Sequence, residues 1–144
     1  MNTYEQAALK FHDGFNCAQS VLLAFTDELA LDPHLAARIS AGFGGGMGRT
    51  GRTCGAVSGA LMVIGLRYGA AVENDKTAKE NAYAHVREFI QQFQDEFGAT
   101  DCQALLGYDL GDPLQYQAAH DQNLFHTRCP LFIQAAARIL STNQ

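Results

Sequence analysis

The sequence predicts an all-α protein, a single-domain helical bundle packed around a central apolar helix. No stretch alternates apolar and polar residues for long enough to indicate a β-strand. Apolar residues instead recur at intervals of three and four along much of the chain, which is typical of amphipathic helices. From Gly55 to Leu66 there is no charged residue. A helix that is apolar on all sides is normally the buried centre of a domain, so this segment predicts the central helix.

Three helices are predicted before a glycine-rich loop. Residues 3–12 place apolar side chains on one face at helical spacing, with Thr3 as a candidate N-cap. Asn16 is a favourable N-cap for a second helix, which would begin at Cys17 and continue to about residue 30. An Asp-Pro pair at 32–33 has the residues preferred at the N-cap and first helical positions. It predicts a short third helix that ends near residue 41.

The second half of the chain predicts the central helix and several helices packed on it. Thr53 is the expected N-cap of the central helix, which would cover about 54–71, with Cys54 as its first residue. An Asn-Asp pair at 74–75 begins a long amphipathic helix that ends before Gly98. The remaining helices are predicted to begin beside Asp101, at the Asp112–Pro113 pair, and at Cys129 as cap with Pro130 in the first helical position.

Composition and charge exclude several classes of partner and place the whole of residues 1–144 in one domain. The net charge of −5 argues against nucleic acid as a partner, because phosphate binding needs a basic face. The apolar run near residue 60 is too short to cross a bilayer, and the first residues do not resemble a secretory signal. We therefore expect a cytoplasmic protein without membrane insertion. Structural disulfides are not expected there, so the cysteines predict metal or redox chemistry.

Six glycines lie between residues 42 and 51 and allow the backbone positive φ angles and close contacts. Backbone N–H groups and two arginines in this loop could hold an anion, a cluster or a thiolate. We therefore name Gly45, Gly46, Arg49 and Arg52 as candidate cofactor-binding residues. The segment also approaches the phosphate-binding pattern GxxxxGK[ST], but Arg52 replaces the lysine and no clear strand precedes it. Nucleotide hydrolysis is therefore disfavoured.

The four cysteines share a setting: each lies at or beside a predicted helix N-terminus. Free N–H groups and a partial positive charge at such positions favour thiolate over thiol. We expect Cys17, Cys54, Cys102 and Cys129 to converge, with lowered pKa values. No CxxC spacing indicates a zinc ribbon, a thioredoxin motif or haem attachment. The thiolate both attacks disulfides and binds metals, so placement does not choose between these roles. Packing of each cysteine as a small apolar side chain is the structural alternative.

The segment GGGMGRTGRTCGAVSGALMVIGL closely resembles the redox-active family named for its C–GCAxxG–C–C cysteine pattern. The CGAxxG element stands at residues 54–59, with Cys17 upstream and the segments DCQALLGYDL and RCPLF downstream. The resemblance covers nearly the whole chain, and all four cysteines occupy the family positions. It implies a small helical protein with a redox or iron–sulfur role. A related domain occurs in the dimeric split-Soret cytochromes c, which carry haem and an iron–sulfur cluster, but this chain has no CxxCH for haem.

Three functions follow from the cysteine pattern. In the first, all four cysteines are catalytic in dithiol–disulfide electron transfer by a thiol–disulfide oxidoreductase. Cys54 is then the expected attacking thiolate, and Cys17 or Cys129 resolves the mixed disulfide. In the second, the same four thiols are the metal ligands of an iron–sulfur cluster, the one candidate cofactor, or of zinc. In the third, the cysteines only pack, and the protein is a non-catalytic binding or regulatory module.

Partners and auxiliary residues are less closely defined by the sequence. Expected partners are a redox partner protein or a small thiol or disulfide. The glycine-faced central helix and the cytochrome relatives favour a homodimer. His126 is three residues from Cys129 and is a candidate metal ligand or proton partner.

Overall fold

Residues 1–143 are described by a computed structural model of the chain. Within them every regular element is helical, and the one β-type contact is an isolated antiparallel bridge between Thr53 and Asp101. This confirms the all-α prediction. A 3-10 turn covers Ala41–Phe43. The α segments are α1 (Thr3–His12), α2 (Cys17–Leu23), α3 (Thr26–Leu29), α4 (Pro33–Ser40), α5 (Gly44–Met47), α6 (Gly55–Tyr68), α7 (Lys76–Phe97), α8 (Cys102–Leu106), α9 (Pro113–Asp121), α10 (Leu124–Thr127) and α11 (Cys129–Thr142).

Side-chain caps fix several helix starts at the predicted residues. The Asn16 side chain accepts a hydrogen bond from the Gln19 N–H at 3.0 Å, and the Gln19 side chain accepts one from the Asn16 N–H at 2.9 Å. This reciprocal pair makes Cys17 the first residue of α2, as predicted. Asp32 and Asp112 also cap as predicted, each followed by proline. At α1 the cap is Asn2 rather than Thr3, because the Asn2 side chain accepts from the N–H of Glu5.

Three further predicted boundaries are wrong for identifiable reasons. The expected helix from residue 17 to 30 is two helices, α2 and α3, which a junction at Ala24–Phe25 separates. Thr53 does not cap α6, because it lies in the antiparallel bridge, and Cys54 becomes the N-cap. Cys129 is the first residue of α11 and not its cap, because α10 ends at Thr127 and Arg128, between the two helices, takes the N-cap position.

The central helix α6 packs closely on α2 through its glycines. A Cβ atom placed on Gly59 would lie 2.6 Å from the carbonyl oxygen of Ala18. A Cβ on Gly55 would lie 2.9 Å from the Cβ of Cys17. These two glycines belong to the CGAxxG element, so its small residues bring α6 against the start of α2. The first half of α6 is buried, as expected of a central helix.

On its other sides α6 is covered by α7 and α11. Phe89 and Phe93 of α7 are buried, and the Phe93 ring centroid lies 6.3 Å from that of Phe132 on α11. Phe97, at the end of α7, meets Phe132 edge to face at 5.0 Å. No helix within residues 1–143 combines the length and the apolar content needed to cross a bilayer.

Candidate functional site

Four helix starts bring the four cysteines to one cavity of about 430 Å³. Cys17 begins α2, Cys54 caps α6, Cys102 begins α8 and Cys129 begins α11. All four are free thiols; Cys17 is half-buried and the other three are buried. The structure thus gathers side chains from four helices around one space, and the predicted site cysteines face the same cavity.

A short backbone pairing places Cys54 beside Cys102. The N–H of Cys54 donates to the carbonyl of Thr100 at 2.8 Å, and the N–H of Cys102 donates to the carbonyl of Arg52 at 2.7 Å. These bonds flank the bridge between Thr53 and Asp101. Each cysteine immediately follows a bridged residue. Because side chains alternate between the two faces of a paired backbone, the side chains of Cys54 and Cys102 lie on the same face of this pairing. The bridge therefore couples the start of α6 to the start of α8.

The glycine-rich loop makes a left-handed turn beside the cysteines. Residues 45–49 all have positive φ, between 66° and 72°, so α5 is not a right-handed helix. A Cβ on Gly46 would lie 2.7 Å from the Cβ of Cys102 and 2.7 Å from the carbonyl oxygen of Arg52. Only glycine fits at Gly46, in φ and in space. Gly45 and Gly46 both line the cavity, which places two predicted cofactor-binding residues beside the thiols.

Asn16 ties this loop to α2. Its Nδ2 donates to the carbonyl of Ala41 at 2.9 Å, while its Oδ1 caps the helix that begins with Cys17. A Cβ on Gly44 would lie 2.6 Å from the Asn16 Cβ. Asn16 also lines the cavity. One residue therefore positions both Cys17 and the glycine loop, a role that its capping preference alone did not predict.

The two arginines of the glycine-rich loop differ in their position relative to the cavity. Arg49 lines the cavity and is exposed, with its guanidinium 4.5 Å from the ring centre of Tyr116. Arg52 is also exposed but does not line the cavity, so the structure lends no support to its predicted side-chain role at the site. The reason is that the backbone of Arg52 is used instead: its N–H donates to the carbonyl of Gly46 and its carbonyl accepts from Cys102. These bonds direct its side chain to solvent.

The thiols of Cys17 and Cys129 lie in the wall of the same cavity and shift each other's pKa in opposite directions. Donation from the Cys17 thiol lowers the pKa of Cys129; burial opposes this, and the charge of Arg128 adds to the lowering. The pKa of Cys17 is raised, first because its proton is held in this bond, then by burial and by the charges of the other thiols. The pair therefore ionises at Cys129 first.

Cys54 and Cys102, unlike Cys129, have raised pKa values. Burial raises the pKa of Cys54 to about 11, although the N–H groups of Ala56 and Val57 act to lower it. Burial, followed by the charges of Cys54, Cys129 and Asp101, raises the pKa of Cys102 to about 12. These directions do not favour Cys54 as the attacking thiolate, and the expected lowering of the pKa is found at Cys129 alone of the four. Loss of water around these sulfurs outweighs the helix-start N–H groups.

Other site residues were missed or misplaced by sequence reasoning. Tyr116 and Phe125 form part of the cavity wall, yet neither belongs to a motif that the sequence analysis singled out. Their ring centroids lie 5.4 Å apart, and only the packing of α9 on α10 brings them there. His126 is exposed and does not line the cavity. Within residues 1–143, no three His, Cys, Asp or Glu side chains are arranged to hold a metal ion.

Comparison with known proteins identifies one family. The family model described as "Putative redox-active protein (C_GCAxxG_C_C)" matches residues 15–143, a range that contains all four cysteines. No curated protein and no solved structure matches the chain.

Proposed function

The chain belongs to the C_GCAxxG_C_C family of redox-active proteins, and from this premise we propose that it transfers electrons by dithiol–disulfide exchange at Cys17 and Cys129. The observation that carries the proposal is the placement of these two thiols in the wall of one cavity, where their interaction lowers the pKa of Cys129. A thiolate is the attacking form in disulfide exchange, and a second thiol in contact with it is placed to resolve the product. Cys129 replaces Cys54 as the proposed nucleophile.

The proposed reaction has two steps. The Cys129 thiolate attacks one sulfur of a substrate disulfide, forming a mixed disulfide and releasing half of the substrate as a thiolate. Cys17 then loses its proton and attacks the Cys129 sulfur, which releases the second half. In total, one substrate disulfide is reduced to two thiols while the two cysteine thiols become one disulfide. A reducing dithiol or another two-electron donor returns the pair to its starting state.

Cys54 and Cys102 have a supporting place in this proposal. Their raised pKa values keep them protonated at neutral pH, so they do not compete with Cys129 for the substrate. Both line the cavity and are almost fully buried. We propose that they form its neutral wall during exchange.

Disulfide mapping tests the proposal. The reduced protein is treated with 2-hydroxyethyl disulfide, remaining thiols are blocked with N-ethylmaleimide, and the peptides are identified by mass spectrometry. We expect a peptide cross-linked through Cys17 and Cys129. The double variant Cys54→Ser/Cys102→Ser should still form it, and Cys129→Ser should not. A cross-link confined to Cys54 and Cys102 would contradict the assigned pair, and unlinked peptides alone would favour a non-catalytic binding role.

A second candidate is an iron–sulfur cluster, favoured by the convergence of four thiols on one cavity. Four cysteine thiolates are the usual donor set of such clusters, and the cavity of about 430 Å³ exceeds the space that a single ion occupies. Cys17, Cys54, Cys102 and Cys129 would be its ligands, and the cluster would supply one-electron transfer. The spacing of the described side chains gives no support to single-ion zinc binding.

Anaerobic purification separates the two candidates. A cluster gives visible absorption with stoichiometric iron and sulfide, and the Cys54→Ser/Cys102→Ser variant should lose both. The dithiol function predicts colourless protein whose Cys17–Cys129 disulfide still forms in the same variant. In the double variant, the cluster candidate therefore predicts loss of colour, iron and sulfide, whereas the dithiol candidate predicts that the Cys17–Cys129 disulfide is retained.

Cellular setting and assembly also remain proposals. Four free thiols suit a reducing compartment, so we propose a cytoplasmic protein that reacts with a small disulfide or a redox partner protein. The glycines that favoured a homodimer have different roles. Gly59 packs against α2 of the same chain, whereas a Cβ placed on Gly65 would meet nothing within 4 Å. Support for a homodimer therefore rests on the C-terminal half of α6, where Gly65 lies.

A further inference from the structure

The cavity that holds the thiols has a single charged residue in its described wall. Among the residues within 1–143 that line it, Arg49 is the one charged side chain; the others are cysteines, glycines, Asn16 and apolar or aromatic residues. Arg49 is exposed, so it lies where the cavity meets solvent. A ligand that enters this cavity must pass or contact its guanidinium group.

The guanidinium of Arg49 is held in place and is free of an acidic partner. It lies 4.5 Å from the ring centre of Tyr116, a cation–π contact with a residue of the cavity wall. Its backbone is in the left-handed region, with φ of 67°, which fixes the direction in which the side chain leaves the loop. None of the ion pairs between described side chains involves Arg49. Its donors are therefore available to a ligand.

From this arrangement we propose that the substrate is a small disulfide that carries a carboxylate, and that Arg49 determines this preference. The inference rests on the proposed dithiol function. A cavity of about 430 Å³ is within the range of small-molecule sites. Arginine binds carboxylates through paired N–H donors, and the net charge of −5 otherwise disfavours an anion. Arg49 thus gives local attraction at the entrance to a neutral, thiol-lined interior.

Three disulfides of similar size and different charge test the inference on the intact reduced protein. They are 3,3′-dithiodipropionate, a dianion; 2-hydroxyethyl disulfide, which is neutral; and cystamine, a dication. The rate of Cys17–Cys129 disulfide formation is measured for each with the wild type and the variants. Comparing variants at a fixed probe removes the differences in intrinsic reactivity between the probes.

The variants separate a local effect from a general effect of charge. In Arg49→Gln we expect the ratio of the dianion rate to the neutral rate to fall about fivefold, and the ratio of the cystamine rate to the neutral rate to stay the same or rise. Arg49→Lys should keep most of the preference. Arg52→Gln is the matched control, because it removes the same charge from the same loop outside the cavity, and it should behave like the wild type.

Two results would overturn the inference, and they are distinguishable from failure of the proposed function. An equal ratio of the dianion rate to the neutral rate in Arg49→Gln and wild type would remove the role of Arg49. An equal fall in Arg52→Gln would show that net charge, and not the cavity entrance, determines the preference. In both cases the neutral probe would still oxidise Cys17 and Cys129. If no probe oxidises the wild type, the dithiol function fails, and the substrate inference fails with it.

Discussion

The thiols of Cys17 and Cys129 line one cavity and shift each other's pKa in opposite directions, although the two residues begin helices at opposite ends of the chain. Cys17 holds its proton more tightly than a free thiol, and Cys129 becomes more acidic. In the proposed exchange Cys129 attacks first, and Cys17 keeps its proton until the second step.

The first prediction concerns the interaction between these two thiols. Replacing Cys17 with alanine removes the donor, so the pKa of Cys129 should rise and less thiolate should be present at neutral pH. A hydrogen bond to a charged group contributes about 1.5 kcal/mol or more, so alkylation of Cys129 by iodoacetamide at pH 7 should slow about tenfold. Cys17→Ser is the matched control, because its hydroxyl can still donate, and it should slow the reaction less. Identical pH profiles in wild type and Cys17→Ala would contradict the assigned interaction.

The second prediction concerns stability at alkaline pH. In the unfolded chain a cysteine ionises near pH 8.5, whereas in the fold the pKa is about 11 for Cys54 and about 12 for Cys102. The folded state therefore holds more protons above pH 8.5, and its stability falls as the pH rises toward 11 and 12. Each thiol contributes up to about 1.4 kcal/mol per pH unit to this fall.

Denaturant unfolding between pH 8.5 and 10.5, with reductant present, measures this slope. Cys102→Ala should give a shallower decline than the wild type, because one of the thiols whose proton the fold retains is gone. Equal slopes would show that Cys102 has an ordinary pKa in the fold.

The third prediction concerns Gly46 in the left-handed turn. Gly46→Ala introduces a Cβ into a residue with φ of 68°, 2.7 Å from both the Cys102 Cβ and the Arg52 carbonyl oxygen. We expect a loss of about 2–4 kcal/mol in the free energy of unfolding, together with faster alkylation of Cys102 as the wall loosens. Gly98→Ala is the control, because Gly98 also has positive φ but no atom within 4 Å. It should cost about 1 kcal/mol; equal losses would remove the packing role of Gly46.

The fourth prediction compares two glycines of α6. A Cβ on Gly59 would lie 2.6 Å from the backbone oxygen of Ala18, and the helices would have to separate to admit it. Gly59→Ala should therefore lower the free energy of unfolding by about 1–3 kcal/mol. Gly65→Ala meets nothing within 4 Å in the same helix and should raise it by about 0.5–1 kcal/mol. Changes of the same sign, measured by urea unfolding, would contradict the assigned helix contact.

Local sequence signals were sufficient where a helix start depends on its own side chains. Asn16 with Gln19, and Asp32 and Asp112 before proline, cap the helices that their positions predicted. Local signals failed where a residue distant in the chain pairs with the same backbone. Thr53 is a good cap in isolation, but pairing with Asp101 takes it out of that position.

The site shows the same division. The residue types around Cys54 predicted a glycine loop and a helix start beside a thiol, and both are present. The choice between Arg49 and Arg52 was not predictable, because it depends on which backbone groups close the loop onto Cys102. Tyr116 carries no local signal at all, since its place at the cavity follows from the packing of its helix.

The sequence by itself determined the helical class, most helix starts and the position of each cysteine at one of those starts, because these depend on neighbours within a few residues. The tertiary structure alone decided that Cys17 meets Cys129, that Cys129 is the acidic thiol, and that Cys54 keeps its proton. A thiol's pKa depends on the water it loses and the charges it gains on burial, and helices from distant parts of the chain supply both.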